Sequence, residues 1–512
     1  MKNTGFQNKP MYDSAAVGRT TARSARLWIR ARSPGSLTVE WRPQKHPQHA
    51  RKKRITVNPE NESDNTISVV LPSEPEEEGV GLDPLTRYNF RITAADESRV
   101  LAQGAFETAP EKPEDTPERF AVAVMSCHQP FNSRGTVRKS ARLVLKAAEK
   151  CLSDHNTKIV FMVGDQMYSD YPKKLSLFDE KYFPNVAPPG RDSILSCKDT
   201  EVRKLFHERY RHFWALPEWQ RLHMRFPCYP ILDDHDLVDN WGSVPAHQEP
   251  LWRNFITGAR WACFDYQASR ILPAAAAMPK SFHFSGSYGY CAYFVMDLRS
   301  ERRAGPNGRI IGPQQKQDFV SFLKNSRQSK IIFLILSVPL LHLPRFLTRL
   351  IARMPPPNED FSDRWSSGRH IRDRDWLLKT VHDHQQSNPE QRIILLSGDI
   401  HIGCVHRIDW GDSAPNSYQF ISSGFTHKTG WVVSNGSKLL IRANQHIETT
   451  DRSLEARMDL LKGLPRKRQN PCGNLNMGIV EVDRGTNNPR VRFFLYNQRR
   501  GQPIRAFQSH WL

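Results

Sequence analysis

The stretch Lys158-Ile159-Val160-Phe161-Met162-Val163-Gly164-Asp165-Gln166-Met167-Tyr168 reads as a buried β-strand closed by Gly-Asp. An Asp at the carboxyl end of a strand sits where open α/β sheets place their ligand sites. Tyr168 follows three residues later and reaches the same point. A hard oxygen ligand beside a phenol points to a metal rather than to packing. Two further strand ends carry both acid and imidazole: Leu232-Asp233-Asp234-His235-Asp236, with Asp239-Asn240-Trp241 just after, and Leu396-Ser397-Gly398-Asp399-Ile400-His401. A fourth, Val124-Met125-Ser126-Cys127-His128-Gln129, adds a thiol. One such end is an ordinary structural feature. Four in one α/β segment predict a convergent polynuclear metal site.

The ligand types limit the ion. Carboxylates and Asn suit Ca²⁺, Mg²⁺ or Mn²⁺. A thiolate with a phenolate and a His suits a transition metal, with Fe³⁺ a natural partner for phenolate. Two ions bridged by one carboxylate can generate a hydroxide and clamp a transferring phosphoryl group.

Outward from these loops, short apolar runs predict strands at Phe120 to Met125, Cys228 to Leu232, Ala292 to Asp297, Lys330 to Leu336 and Arg392 to Ser397. Helical patterns such as Val137 to Leu152 lie between some of them, which predicts a layered α/β architecture. Residues 12–110 differ in texture. Ala25 to Ala31, Ser36 to Trp41, Thr66 to Leu71 and Arg87 to Ile92 alternate apolar and polar, the pattern of a small β-sandwich. Gly81 to Tyr88 is similar to the strand-entry Tyr of fibronectin-type domains. The Pro- and charge-rich residues 111–118 read as a linker, which leaves 119–512 as the catalytic domain.

The chain has 512 residues, 38% of them hydrophobic, enough for a large core and two or more domains. No apolar run reaches 18 residues; Ile331 to Leu343 is too short and contains a Pro, so no transmembrane helix is expected. Met1 to Ser24 lacks the apolar core of a secretory signal, so a cytoplasmic protein is expected, or a periplasmic or secreted one whose leader is missing from this chain. Eight cysteines without any CxxC spacing argue against a disulfide scaffold. The net charge of +20 attracts polyanions, or reflects a general basic bias. Arg51-Lys52-Lys53-Arg54 and Arg466-Lys467-Arg468 are short clusters, and no aromatic-interleaved basic groove supports a nucleic-acid partner.

The motifs together resemble the alkaline phosphatase D (PhoD-like) family of metallophosphatases. The matching pieces are Ser126-Cys127, Gly164-Asp165-x-x-Tyr168, Asp233-Asp234-His235-Asp236 with Asn240-Trp241, Met296-Asp297-Leu298-Arg299-Ser300-x-Arg302, Gly312-x-x-Gln315 and Ser397-Gly398-Asp399-x-His401. The resemblance implies a four-layer αββα core preceded by a fibronectin-like sandwich. It implies a phosphoesterase that hydrolyses phosphomonoesters or phosphodiesters through a metal-bound hydroxide. It also implies a site holding Fe³⁺ and Ca²⁺, although the same ligands accept Mn²⁺, Zn²⁺ or Mg²⁺. Cys127, Asp165, Tyr168 and His401 would hold the iron. Asp165 would bridge to calcium, with Asp234, Asn240 and Asp399 as its other ligands. His235 would protonate the leaving group or stabilise the transition state, and Arg299 or Arg302 would hold phosphate oxygens.

The chain departs from the family pattern where Asp236 and Asp239 replace the more usual Glu and Asn, which makes Asp236 a candidate substrate contact. His128 stands where a Gln-type residue is more usual and is a second one.

Several plainer readings compete. Cys127 as a phosphatase nucleophile would need an Arg six residues later, but position 133 is Ser and Arg134 is one off. Arg299 pairing with a core carboxylate is an alternative to a substrate contact, and Asp233 orienting its loop an alternative to a ligand. His283, His342 and His427 fit no motif, with His427 the best late addition. The basic, amphipathic Leu343 to Met354 reads as a surface helix ended by Pro355-Pro356-Pro357, with contact to anionic lipid as its sharper alternative. The rival function is a non-catalytic binder of a polyanion or cell-wall polymer on the same scaffold. The sequence names a phosphate ester or phosphorylated polymer as substrate class and no further.

Overall fold

The computed structural model describes residues 12–58, 62–72, 81–275, 277–305, 308–341, 362–427, 438, 441, 445–485 and 488–512. His342 and the basic stretch from Leu343 to Pro357 lie outside these residues.

The continuous apolar runs form strands because both of their faces are covered. Ile331–Leu336 shows this directly. Ile331, Phe333 and Ile335 point into a core between two sheets, while Ile332, Leu334 and Leu336 point into a second core beneath helices. The first core sheet has seven strands in the order Cys228–Ile231, Thr157–Val163, Arg119–Met125, Met477–Asp483, Arg490–Arg499, Gln502–Ser509 and Gly463–Arg468. Its first three strands run parallel. The second has eight, in the order Phe284–Tyr288, Cys291–Val295, Ile331–Leu336, Arg392–Ser397, Ser417–Ile421, Cys404–Asp409, Glu455–Leu460 and Gln445–Glu448. The second to fifth of these run parallel.

Helix Lys139–Asp154 buries Val144, Leu145, Ala148 and Leu152 in the core of the first sheet. Helices Pro313–Asn325 and Ile371–Ser387 bury Phe319, Leu323, Leu377 and Val381 on the outer face of the second. The result is an αββα sandwich, and its parallel strands end along one edge.

The N-terminal unit is a β-sandwich of three strands (Ser14–Thr20, Ala25–Arg30, Thr66–Leu71) against four (Arg51–Val57, Gly35–Pro43, Arg87–Ala94, Val100–Glu107). Tyr88 donates its hydroxyl to Asp83 Oδ2 at 3.2 Å and accepts the Asp83 amide at 2.9 Å, pinning the entry to its strand. The sandwich docks firmly on the core. Trp28 donates to the Asp265 carbonyl at 2.7 Å, and Arg30 reaches the Tyr266 hydroxyl at 3.1 Å. The stretch expected as a linker is pinned too, since Glu111 pairs with Arg23 at 2.6 Å and Thr116 accepts the Tyr290 amide at 3.3 Å.

Both short basic clusters fall on edge strands, Arg51–Val57 and Gly463–Arg468. Charge on an edge blocks pairing with another chain, which accounts for them without a nucleic-acid partner. All eight cysteines are free and buried. Among the described residues no helix is long and apolar enough to cross a membrane.

Candidate metal centre

The loops after the parallel strands of both sheets meet at one point. The glycines of the two Gly-Asp motifs allow the approach. A Cβ on Gly164, whose φ is +91°, would collide with the Asp233 side chain, and one on Gly398 would collide with Ser126 and the Val163 carbonyl. Gly164 therefore seats one first-sheet loop on another, and Gly398 seats a second-sheet loop on the first sheet.

Cys127, Asp165, Asn240, Asp399 and His401 all have left-handed backbone, with φ between +55° and +66°. Non-glycine residues adopt this conformation at a cost, and it collects at functional sites. Five of the 13 such residues among those described are candidate ligands, a concentration that loop chance does not explain.

Asp165 stands at the centre. Its Oδ2 lies 3.3 Å from Cys127 Sγ and accepts the Tyr168 hydroxyl at 3.0 Å, while its Oδ1 is buried with no hydrogen-bond partner. Cys127 Sγ also lies 3.2 Å from Ser423 Oγ. Tyr168 stacks on His235 with ring centroids 4.4 Å apart, and its hydroxyl is 3.2 Å from His427 Nδ1. His427 lies against His401, with centroids 4.1 Å apart, and His401 Nδ1, like Asp165 Oδ1, is buried without a hydrogen-bond partner. Single ligand atoms of Asp165, Asp234 and His235 fall within 4.8 Å of one another, as do those of Asp233, Asp234 and Asp399.

Burial, with the nearby Asp165 charge, pushes the Cys127 thiol and the Tyr168 phenol well above their ordinary values. Burial pushes Asp165 up as well. His401 is driven down to about 3 by burial and by His235. A thiol, a phenol, a carboxyl and an imidazole buried at this close range are groups that a cation converts into ligands. The donor set and the orphaned atoms of Asp165 and His401 therefore fit a metal.

Not every expected residue reaches this centre. Arg299 is fully buried and is engaged by carboxylates: its Nε meets Asp233, and its two terminal nitrogens meet Asp363 at 2.7 and 2.9 Å. Arg302 is also buried and donates to the Asp363 carbonyl. The alternative of a core pairing describes the contacts of Arg299, whereas Arg302 keeps its Nε and one terminal nitrogen buried without a hydrogen-bond partner. The surrounding motif serves them. Gln315 locks the Asp297 backbone with bonds of 2.8 and 2.9 Å, and Asp297 in turn caps the Arg299 amide at 3.0 Å.

Asp236 is fully buried, and its carboxylate accepts the amides of Asp165, Gln166, Met167 and Asp233 at 2.9 to 3.1 Å, so it ties two ligand loops together. His128 stacks on Trp219 with centroids 3.8 Å apart and bonds the Phe213 carbonyl at 3.0 Å, as a core histidine does. Asp233 shares this structural character through Arg299 and Ser337.

Three residues at the site went unread in the sequence. Asp170 receives the His235 ring nitrogen at 2.8 Å, and it lies just two residues past Tyr168 in the same loop. Arg364 pairs with Asp399 and lies in no motif. Ser423, beside Cys127, follows the strand Ser417–Ile421 and was hidden because that strand end carries no acid.

Comparison with known proteins fits this geometry. A family model described as PhoD-like phosphatase matches residues 122–462. The chain belongs to the PhoD-like phosphatase family. Membership makes it a hydrolase of the phosphatase class, and the match spans every loop of the centre. Among solved structures this PhoD-like phosphatase is similar to PhoD, with a TM-score of 0.63 and 15% identity over 99% of this chain and 94% of the other. It is also similar to a purple acid phosphatase from yellow lupin (Lupinus luteus) seeds, with a TM-score of 0.54 and 11% identity over 98% and 74%. At these identities the likeness is one of fold. No curated protein matches the chain by sequence.

Proposed function

We propose that this PhoD-like phosphatase is a metal-dependent hydrolase of phosphate monoesters or diesters. In this reading Cys127, Asp165, Tyr168 and His401 hold one ion, and Asp165, Asp234, Asn240 and Asp399 hold a second. The observation that carries it is the division of Asp165: one oxygen faces the thiol and phenol, and the other is buried without a partner. A carboxylate so placed serves two ions. The phenol and thiol favour Fe³⁺ at the first position, and the all-oxygen second set favours Ca²⁺, with Mn²⁺, Zn²⁺ and Mg²⁺ open to the same ligands. Bound ions supply Lewis acidity toward the phosphoryl oxygens and the attacking water.

The chain's own groups do the rest. Burial disfavours charge on His235, but Asp170 and Asp234 outweigh it and hold the ring well above its ordinary value. Asp170 takes the Nδ1 hydrogen, which fixes the ring and leaves Nε2 to carry a proton toward the leaving oxygen. Arg364, with 18% of its side chain exposed beside Asp399, is the guanidinium open enough to hold a phosphate oxygen.

Hydrolysis of p-nitrophenyl phosphate and bis-p-nitrophenyl phosphate, run with metal analysis of the same sample, tests the reading. Turnover that tracks metal content supports it. A folded protein that takes up none of these ions when they are supplied and hydrolyses neither ester refutes it and favours the polyanion-binding alternative.

A further inference from the structure

A cleft of about 660 Å³ opens where the four-stranded sheet of the sandwich meets helix Pro217–Arg225. Its walls carry Arg42, Arg87, Arg91, Arg221 and Arg225 against a single acid, Glu40. The two-residue period of the sheet produces this face. Arg42 lies opposite Asn89, and Arg91 lies between Glu40 and Gln103 on its two neighbouring strands, so polar side chains of three strands share one surface. The floor is a direct backbone contact, since a Cβ on Gly104 would collide with the Met224 carbonyl. The cleft is therefore built by the docking of the two units.

Arg221 and Arg225 share Glu149 at 3.4 and 2.6 Å. Arg42 and Arg87 form no ion pair among the described residues. The acids beside them on the sheet are engaged elsewhere, Glu40 with Lys52 at 3.7 Å and Glu107 with Lys158 at 2.5 Å. Like charges gathered in a concavity repel one another, and they focus a field that draws anions. The amides of Gln44, Asn89 and Gln103 sit among them. The one aromatic ring of the lining, Phe90, is 2% exposed, so no platform exists on which a base would stack.

We propose that this cleft is a second anion site, separate from the metal centre, that takes a small oligo-anion carrying two or more linked phosphate groups. The guanidinium forks bind the phosphate oxygens, and the amides bind the linking or hydroxyl oxygens. The volume is that of a small-molecule site.

Calorimetric titration of the full chain with inorganic tripolyphosphate tests this, in an Asp165→Asn background that keeps turnover from consuming the probe. Saturable binding is expected, weakened about tenfold or more by Arg42→Gln/Arg87→Gln and by less in Arg42→Gln alone. Both arginines are exposed and unpaired, so circular dichroism of the variants is expected to match the parent. Absence of binding, or equal affinity in the double variant, would overturn the proposal. Tighter binding of a single-stranded oligonucleotide than of tripolyphosphate would overturn it in favour of a nucleic-acid surface.

Discussion

Asp170 receives the Nδ1 hydrogen of His235 through both carboxylate oxygens, at 2.8 and 3.1 Å, and also accepts the Asp239 amide at 2.6 Å. The pair acts as one unit: the acid fixes which nitrogen of the ring is free. Asp170→Asn is expected to lower kcat about 10- to 100-fold, a typical loss when such a support is removed. Metal content should stay unchanged. His235→Asn should lower kcat further, and adding Asp170→Asn to it should cost almost nothing more. Steady-state kinetics of the two single variants and the double variant decide this, and additive losses would separate the two residues.

Arg299 ties Asp233 to Asp363 inside the core, with Ser243 donating to Asp363 at 2.7 Å. Removing this buried guanidinium leaves Asp233 without its ion-pair partner, while Asp363 keeps Arg302 at 3.2 Å. Arg299→Ala should therefore lose about 3–5 kcal/mol of stability in urea unfolding. A substrate-binding role predicts the opposite pattern, a raised KM with stability retained.

Gly398 lets the second-sheet loop approach the first sheet. Gly398→Ala places a methyl against Ser126 and the Val163 carbonyl, an overpacking that costs about 1–3 kcal/mol. Its thermal midpoint should fall, and its metal content should fall with it because Asp399 follows directly. An unchanged midpoint would show that the loops have room to part.

Asp64 pairs with Arg30 of its own sandwich at 3.0 Å and joins the sandwich to the core through Arg211 at 2.5 Å and Tyr266 at 2.5 Å. Burial raises its carboxyl, but the hydrogen bond and charge of Arg30, with His207 and Arg211, bring it down to about 2. A depressed carboxylate contributes stability above its unfolded value near 4 and loses it as pH falls through about 2. Asp64→Asn keeps a residue that tolerates the left-handed φ of +58° there. It should therefore be less stable than the parent by about 2 kcal/mol at pH 7, with the gap narrowing below pH 4. Denaturant titrations at several pH values test this, and a constant gap would contradict it.

The core was legible where its strands are apolar on both faces. Lys158 to Val163 and Arg392 to Ser397 were readable because nothing polar interrupts them. The strands Ser14–Thr20, Arg51–Val57, Val100–Glu107 and the C-terminal Met477–Ser509 region were not read. Charge masks some of them: Arg51–Val57 is an edge strand whose run of basic residues hides the apolar alternation of a strand. The candidate ligands were legible because each follows a strand with a chemically unusual residue. Their second rank was not. Asp236, Arg299 and His128 have the types of functional residues, yet their partners are backbone amides, a distant Asp363 and the Phe213 carbonyl, contacts that only the fold creates. Arg364 approaches Asp399 across 35 positions of chain, beyond any local motif.

The most direct test of the account is metal stoichiometry in wild type and Asp165→Asn, measured by mass spectrometry of the purified, folded chains alongside phosphate-ester turnover. The account predicts about two ions per chain in the active wild type. It predicts loss of both ions, and of turnover by at least about 1,000-fold, in the variant, because one side chain serves both positions. Full turnover with unchanged metal content in Asp165→Asn would contradict it.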